Sequence, residues 1–403
     1  MRNLVDNKCC TGCQACVNAC PRGAISMSEN EEGFYFPKID EDKCISCGLC
    51  EKSCPAMRPL KRTVANQKVY AVVSLLDQNL SSSGGAFSVF ARYMISKGGA
   101  VFGATMDESL RVKHVCIESV EELPKLRGSK YVHSYVGKAF QMARHFLKSG
   151  RPVLFTGTPC QIAGLYSYLG TNRYDGLLIT LDLVCHGVPG QAFFDAYISK
   201  LQKLVCNGKK ISSFRFRKLD AWDYRPAYLL NAEKKWNVVR LEKNAYMGAF
   251  FKGLSYRENC YQCQYANLNR VGSFTIADFW GIGTHGMKFS HRIGSGISAV
   301  IDNCGLMSSL KGELEKYAYI EERSVEEVLM ENHNLKGAVS RPEKREQAIA
   351  DMLDPHISLY TYAKKYGMLP KNKFKYWIVE SFKTIIYSIG LYNFYKAILY
   401  RVK

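Results

Sequence analysis

The sequence predicts two units of different class: a small cysteine-rich α+β domain, then a larger α/β body with a mainly parallel sheet and a smaller antiparallel insert. Three observations predict this. Residues 1–57 repeat one cysteine-rich unit twice. From Val69 onward, apolar runs of strand length alternate with apolar residues at helical spacing, which implies strands joined by crossover helices. Between 211 and 241 the runs shorten and alternate, as in Phe214-Arg-Phe-Arg217, the pattern of antiparallel strands. At 403 residues the chain is long enough for both units to bury cores of their own.

The first unit is defined by its cysteines. Cys10-Thr-Gly-Cys13-Gln-Ala-Cys16-Val-Asn-Ala-Cys20-Pro21 and Cys44-Ile-Ser-Cys47-Gly-Leu-Cys50-Glu-Lys-Ser-Cys54-Pro55 share the spacing C-x2-C-x2-C-x3-C-P, the bacterial ferredoxin run. Three closely spaced thiolates wrap one corner of a 4Fe–4S cubane. The fourth lies too far along the turn and ligates the other cluster. Cys10, Cys13 and Cys16 are thus expected to bind one cluster with Cys54, and Cys44, Cys47 and Cys50 the second with Cys20. Zinc also takes four thiolates, but it rarely uses three evenly spaced cysteines, a fourth and a proline, twice over. This is therefore an α+β ferredoxin-like cluster domain, and two adjacent clusters make a relay. Gly33-Phe-Tyr-Phe-Pro37 reads as a hairpin edge, 58–68 as a linker, and Cys9 as a bystander.

The body, 69–340, opens with the strand Val69–Leu75 and the loop Ser81–Gly85. A helix follows through Phe87, Phe90, Ala91, Met94 and Ile95, stopped by Gly98-Gly99. Val153–Thr156 is a strand leading into Gly157-Thr-Pro-Cys160 and a helix. Leu177–Val184 is another strand, ending at Cys185-His-Gly-Val-Pro189 before a helix from about Gln191. If these strands are parallel, Cys160 and Cys185 emerge at one carboxyl edge, where α/β proteins place their sites. The helix start favours a Cys160 thiolate. Cys260-Tyr-Gln-Cys263 adds a chelating pair. From spacing alone these four thiols suit a third 4Fe–4S cluster, a Cys260/Cys263 redox dithiol, zinc, or plain buried cysteines. Cys116, Cys206 and Cys304 read as packing residues.

The composition narrows the setting. The 16 cysteines, mostly in metal-type spacings, point to a reducing cytoplasm. Met1–Lys8 contains no signal-like apolar region, and no uncharged apolar run approaches the ~20 residues that span a bilayer. The net charge of +19 suits a solvated basic surface, an acidic redox partner, a nucleotide-bearing cofactor or an anionic membrane. No nucleic-acid module accompanies it. Residues 341–403 are expected to form a helical basic C-terminal extension. Its end, Phe374–Lys403, either packs on the body or a partner, or lies on a membrane as a peripheral amphipathic helix.

These segments resemble the coenzyme F-420 hydrogenase/dehydrogenase beta-subunit family over roughly residues 8–335. The landmarks are the double ferredoxin run, Ser82–Phe87, Arg127–Val132, Phe155–Gln161, Asp182–Pro189 and Asp278–Gly281. The resemblance implies a flavoprotein with FAD that exchanges electrons between iron–sulfur clusters and an organic hydride acceptor, coenzyme F-420 or another small molecule. It also implies a third cluster on Cys160, Cys185, Cys260 and Cys263. Ser273 and His133 depart from the family pattern, which commonly has an acid and a Gln there. The expected path runs from a ferredoxin-like donor through the clusters and FAD to the acceptor. The alternative is an accessory electron-transfer protein that serves a partner redox enzyme and has no substrate site.

For the flavin or acceptor, the best segment is Ser82-Ser83-Gly84-Gly85 before its helix. Glycines let the backbone approach a phosphate, and helix-start amides favour it. Ser129, Lys130 and Tyr131 add hydroxyl, ammonium and aromatic groups. An ordinary capped helix and an ordinary turn would read the same way. His186 is a candidate proton donor, or a hydrogen-bonded histidine beside a metal ligand. Asp278 and Trp280 are candidate pocket walls. Gly281-Ile-Gly283-Thr-His-Gly286 fits G-x-G-x-x-G, but no convincing helix opens after it. It reads as a mobile basic loop, not a Rossmann turn.

Overall fold

A computed structural model describes residues 2–60, 66–170, 174, 176–217, 224–231, 233–239, 244–283, 289, 291, 296–369, 378 and 381. The N-terminal unit comprises β1 (Arg2–Asn3), α1 (Ala15–Ala19), β2 (Ile25–Glu29), β3 (Tyr35–Ile39) and α2 (Leu49–Lys52), with an antiparallel sheet in the order β1-β3-β2. Its internal repeat is visible in the backbone. Gln14 (φ 65°) and Gly48 (φ 69°), each following the second cysteine of its run, are both left-handed, and each bends the chain into a one-turn helix. The predicted hairpin is β2–β3. Its turn is fixed by Asn30, whose side-chain oxygen accepts from the Phe34 amide at 2.8 Å.

The body contains β4 (Lys68–Ser74), α3 (Ala86–Ser96), β5 (Ala100–Met106), β6 (Val112–Ile117), α4 (Leu123–Leu126), α5 (Ala139–Lys148), β7 (Val153–Gly157), α6 (Pro159–Leu169), β8 (Leu178–Leu183) and α7 (Gln191–Val205). There follow β9 (Ile211–Arg215), β10 (Ala227–Leu230), β11 (Asn237–Val238), α8 (Ala245–Phe251), β12 (Phe274–Asp278), β13 (Ser298–Asp302), α9 (Met307–Leu314), β14 (Ala318–Arg323), α10 (Val325–Glu331), α11 (Arg345–Leu353) and α12 (Leu359–Lys365). The main sheet has eight strands in the order β14-β4-β13-β12-β8-β7-β5-β6. β5, β7, β8 and β12 pair in parallel at its centre. β4 points the same way but is separated from them by the reversed β13. β6 and β14 also run backward. The sheet is thus mixed, with antiparallel pairing beyond the predicted insert. The reason at one edge is local: Asp107 accepts the amides of Ser109 and Arg111, each at 3.0 Å, and turns β5 back into β6. The insert itself is the small sheet β11-β10-β9.

Apolar periodicity sets the layers. Val89, Phe90, Ala91 and Met94 of α3 are buried against one sheet face, with Leu154 and Leu181. Phe140 of α5 and Ile162 and Ala163 of α6 cover the other. A second core joins the insert to α7, α8, α11 and α12. At roughly 1.5–3 kcal/mol for each large apolar side chain, this burial fixes the strand ends in space.

The N-terminal unit is seated on this body. Cys13 and Ala15 belong to the same buried cluster as α5 and α6. A Cβ on Gly164 of α6 would lie 2.9 Å from the Cys13 sulfur. A Cβ on Gly190 would lie 2.0 Å from the Glu32 carbonyl oxygen, so two backbones touch where only glycine fits. Arg345 grips the Glu32 carboxylate with two hydrogen bonds of 2.6 and 3.0 Å. Among the described residues no helix is long and apolar enough to cross a membrane. α11 and α12 supply helix at the start of the expected C-terminal extension. The tail 374–403 lies outside the described residues apart from Ile378 and Ser381, as does the end of the G-x-G-x-x-G segment.

Candidate functional site

Cys10, Cys13, Cys16 and Cys54 line one void of about 330 Å3 with its mouth, walled also by Leu4, Val5, Met27 and Pro37. This is the crossed grouping that the spacing predicts, since the turn after α2 carries Cys54 back to the first run. Burial, with smaller contributions from Cys10 and Cys54, pushes the Cys13 thiol up to about 12, and burial drives Cys16 well above its ordinary value. Such thiols give up protons when they bind metal. Cys20, Cys44 and Cys50 pack on one apolar cluster with Ile25 and Ile39, while Cys47 is exposed. Among the described residues, no three His, Cys, Asp or Glu side chains gather at single-ion spacing.

The second constellation forms behind it. Cys160 lies in the first turn of α6, which starts with a capping box between Thr158 and Gln161. Cys185 follows β8, and Cys260 and Cys263 flank a tight turn. Cys160 feels the charges of Cys185 and Cys263, and Cys185 those of Cys260 and Cys263. Burial is the first cause for all four, raising Cys185 and Cys260 to about 12. The helix start expected to favour a Cys160 thiolate is outweighed by dehydration. Cys13 also acts on Cys160, and Tyr265 feels Cys160, Cys13 and Cys263 together. The first and third thiol groups therefore adjoin across the seam between the two units. Cys9 and Cys304 are exposed, Cys116 half-buried and Cys206 buried.

A large cavity, about 1590 Å3 with its mouth, opens beyond the carboxyl ends of β7, β8 and β12. Ser82, Ser83, Gly85, Ser129, Lys130, Tyr131, His186, Asp278 and Trp280 all line it. Gly84 does not: a Cβ there would lie 2.3 Å from the Val72 carbonyl oxygen and the Ser298 nitrogen, so its role is close packing. The two predicted segments meet, the Ser129 amide donating to the Ser82 hydroxyl at 3.2 Å. Lys130 donates to the carbonyls of Leu126 and Arg127 at 2.8 and 2.9 Å, and burial draws its pKa down to about 7. Burial likewise lowers His186, with Asp278 opposing. Cys185 lines the cavity as well as joining the second constellation.

Other wall residues carried no short motif. Arg217 binds Asp278 at 2.7 Å and lies over the Tyr224 ring at 4.5 Å. Buried His114 sits 3.0 Å from the Thr156 carbonyl oxygen, and burial lowers its pKa to about 4. Arg217 comes from the insert, whose place over the sheet no local pattern announces. Neither residue that departs from the family pattern is in the cavity wall. Ser273 is buried against Thr180, whose amide donates to it at 3.2 Å. His133 is buried against Gly12 of the first cysteine loop, its two ring nitrogens without partners.

A cysteine-lined N-terminal unit on an α/β body that gathers four more thiols, with Cys185 at the cavity wall, defines an iron–sulfur protein class, and known proteins specify it. Residues 9–57 match the 4Fe–4S dicluster domain, and 150–327 match the C-terminal part of the coenzyme F420 hydrogenase/dehydrogenase beta subunit. A component of the F(420)H(2) dehydrogenase of Methanosarcina mazei is 24% identical over 232 residues, 55% of this chain and 65% of that protein. The chain thus spans about 65% of that relative's length. An uncharacterized ferredoxin of Methanocaldococcus jannaschii is 32% identical over 65 residues, 16% of this chain and 83% of that protein. A chain of the F420-reducing hydrogenase complex from Methanosarcina barkeri is 15% identical, covers 69% of this chain and 89% of its own, and superposes with a TM-score of 0.44. The chain belongs to the coenzyme F420 hydrogenase/dehydrogenase beta-subunit family and carries a 4Fe–4S dicluster domain at its N-terminal end.

Proposed function

We propose that this chain is an iron–sulfur flavoprotein oxidoreductase of three 4Fe–4S clusters and one FAD, exchanging electrons between a ferredoxin-like partner and an organic hydride acceptor. Cys10, Cys13, Cys16 and Cys54 would hold one cluster, and Cys20, Cys44, Cys47 and Cys50 the next. Cys160, Cys185, Cys260 and Cys263 would hold the third. The carrying observation is Cys185, which belongs both to the third thiol group and to the cavity wall. Cubanes move one electron at a time and a flavin one or two, so the pair joins single-electron supply to hydride chemistry.

The residues present fit these groups. The first void is lined mainly by thiols and apolar side chains, a setting that suits a cluster and limits its contact with water. Ser82, Ser83 and the Ser129–Lys130 segment offer hydroxyls, amides and an ammonium to a diphosphate. Tyr131, Tyr224, Trp280 and Phe250 offer faces to a planar ring. Arg217 holds Asp278 in place, and His186 is the group beside Cys185 able to give or take a proton. The exposed Cys47 marks the outer end of the series and faces an external donor or a partner redox protein.

The test is anaerobic purification with iron and flavin analysis, followed by reduction of free acceptors. Three cubanes predict about 12 iron atoms per chain, one FAD and turnover without added proteins. Iron without flavin, inert until a partner is supplied, would replace this reading with an accessory electron-transfer protein. Zinc in colourless oxygen-free protein would end both.

A further inference from the structure

The seam between the first and third thiol groups contains a charge without an answering charge. Arg257 is 1% exposed. Its Nε donates to the Cys10 carbonyl at 2.7 Å, and one terminal nitrogen donates to the Tyr35 carbonyl at 3.1 Å. The guanidinium lies 4.1 Å from the Phe36 ring centroid. Its remaining nitrogen, Nη1, is buried without a partner and faces Gly12, where an added Cβ would lie 3.2 Å away. The other deeply buried arginines behave differently: Arg270 holds Asp182, Arg217 holds Asp278, Arg323 holds Glu327 and Arg345 holds Glu32. Arg257 has no carboxylate among the described residues.

A buried, uncompensated cation is unfavourable unless an anion completes it. Here that anion belongs where the thiols are. Cys10 and Cys13 lie on either side of Gly12, and Cys260 is three residues beyond Arg257 and feels its charge. Four thiolates around a cubane leave it negative in both oxidation states and more negative after gaining an electron. Nearby His133 supplies no second cation, being held neutral by burial and by Arg257 itself.

We propose that Arg257 is the built-in counter-charge of the inner clusters, stabilising their reduced form and raising their potentials relative to the outer cluster at Cys20, Cys44, Cys47 and Cys50. The inference rests on the cluster assignment above. One electron arrives at an inner cluster, no bond forms or breaks, and the guanidinium offsets the added charge without moving a proton. Net charge and hydrogen bonding near the sulfurs are established levers on such potentials. Arg257 acts through the clusters, as a tuning residue, and touches no substrate in this account.

The experiment is an anaerobic redox titration of the full chain followed by electron paramagnetic resonance. Wild type is compared with Arg257→Met and Arg257→Gln, which remove the charge, and with Arg257→Lys, which keeps it. In the uncharged variants at least one midpoint should fall by the equivalent of tenfold in reduction equilibrium, about 59 mV for one electron, while at least one holds. In Arg257→Lys every midpoint should stay within about threefold on the same scale. Midpoints that all hold, that all move together, or that move as far with Lys as with Met overturn this role and leave the cluster assignment standing. Wild-type protein without cubane spectra overturns both. Should Met and Gln lose their iron, Lys decides: a tenfold fall there refutes the charge argument, and retention supports it.

Discussion

Cys260 and Cys263 sit three apart on one tight turn, so removing either should cost the third group its chelate and leave the N-terminal pair intact. Cys260→Ser is expected to lose about four of about 12 iron atoms per chain, read by iron analysis beside the visible spectrum. Lys130 makes a different prediction. Its pKa is drawn down to about 7 by burial, so a diphosphate must bring a proton onto it at higher pH. Flavin affinity should therefore weaken as pH rises above about 7. Lys130→Gln should bind flavin roughly ten- to a hundredfold more weakly, from loss of a charge-assisted hydrogen bond worth roughly 1.5–3 kcal/mol, and should flatten that dependence. His114 contributes to the acid limit together with His133, whose pKa burial lowers further, to about 3. The unfolded chain protonates His114 near 6.5 and the folded chain only near 4, so in that window the unfolded state binds more protons and stability falls with falling pH. Thermal melts should drop between those values, with His114 contributing on the order of 3 kcal/mol, and His114→Gln should shrink the drop.

At the scale of elements, α6 does two jobs at once. Its first turn presents Cys160 to the third group, and one turn later Gly164 leaves room for Cys13. Gly164→Ala places a methyl 2.9 Å from that sulfur. It should destabilise the seam by about 1–3 kcal/mol, seen as faster iron loss in a denaturant series, although alanine is the better helix former. The strands and helices around this point were legible because their apolar spacing is strong: β4, α3, β7, β8 and α7 lie within a residue or two of the expected runs. The reversed strands were not. β13 reads locally like any apolar run and β14, half of it charged, gives a weak signal, while strand direction depends on connections far apart in sequence. Cys10, Cys13, Cys16 and Cys54, which line one void, could be grouped beforehand because ferredoxin-type runs recur at fixed short spacing. Arg217, His114 and Arg257 declared nothing, since a lone arginine or histidine acquires its meaning only from what tertiary packing brings beside it.

For the whole molecule, the seating of the N-terminal unit fixes where its cysteines stand relative to the cavity. Gly33 and Gly190 allow main chain against main chain, and the Arg345–Glu32 grip lies beside them. Gly190→Val would wedge a side chain into the Glu32 backbone, and should leave a folded body from which the small unit detaches, detectable as new protease cleavage between 57 and 69. In the intact chain this close seating rules out a swinging-arm carrier that diffuses between donor and recipient on a tether. The outermost thiol group and the cavity are held at a constant separation. Thickening the solvent with glycerol should accordingly slow the encounter with an outside donor and leave the internal hop untouched.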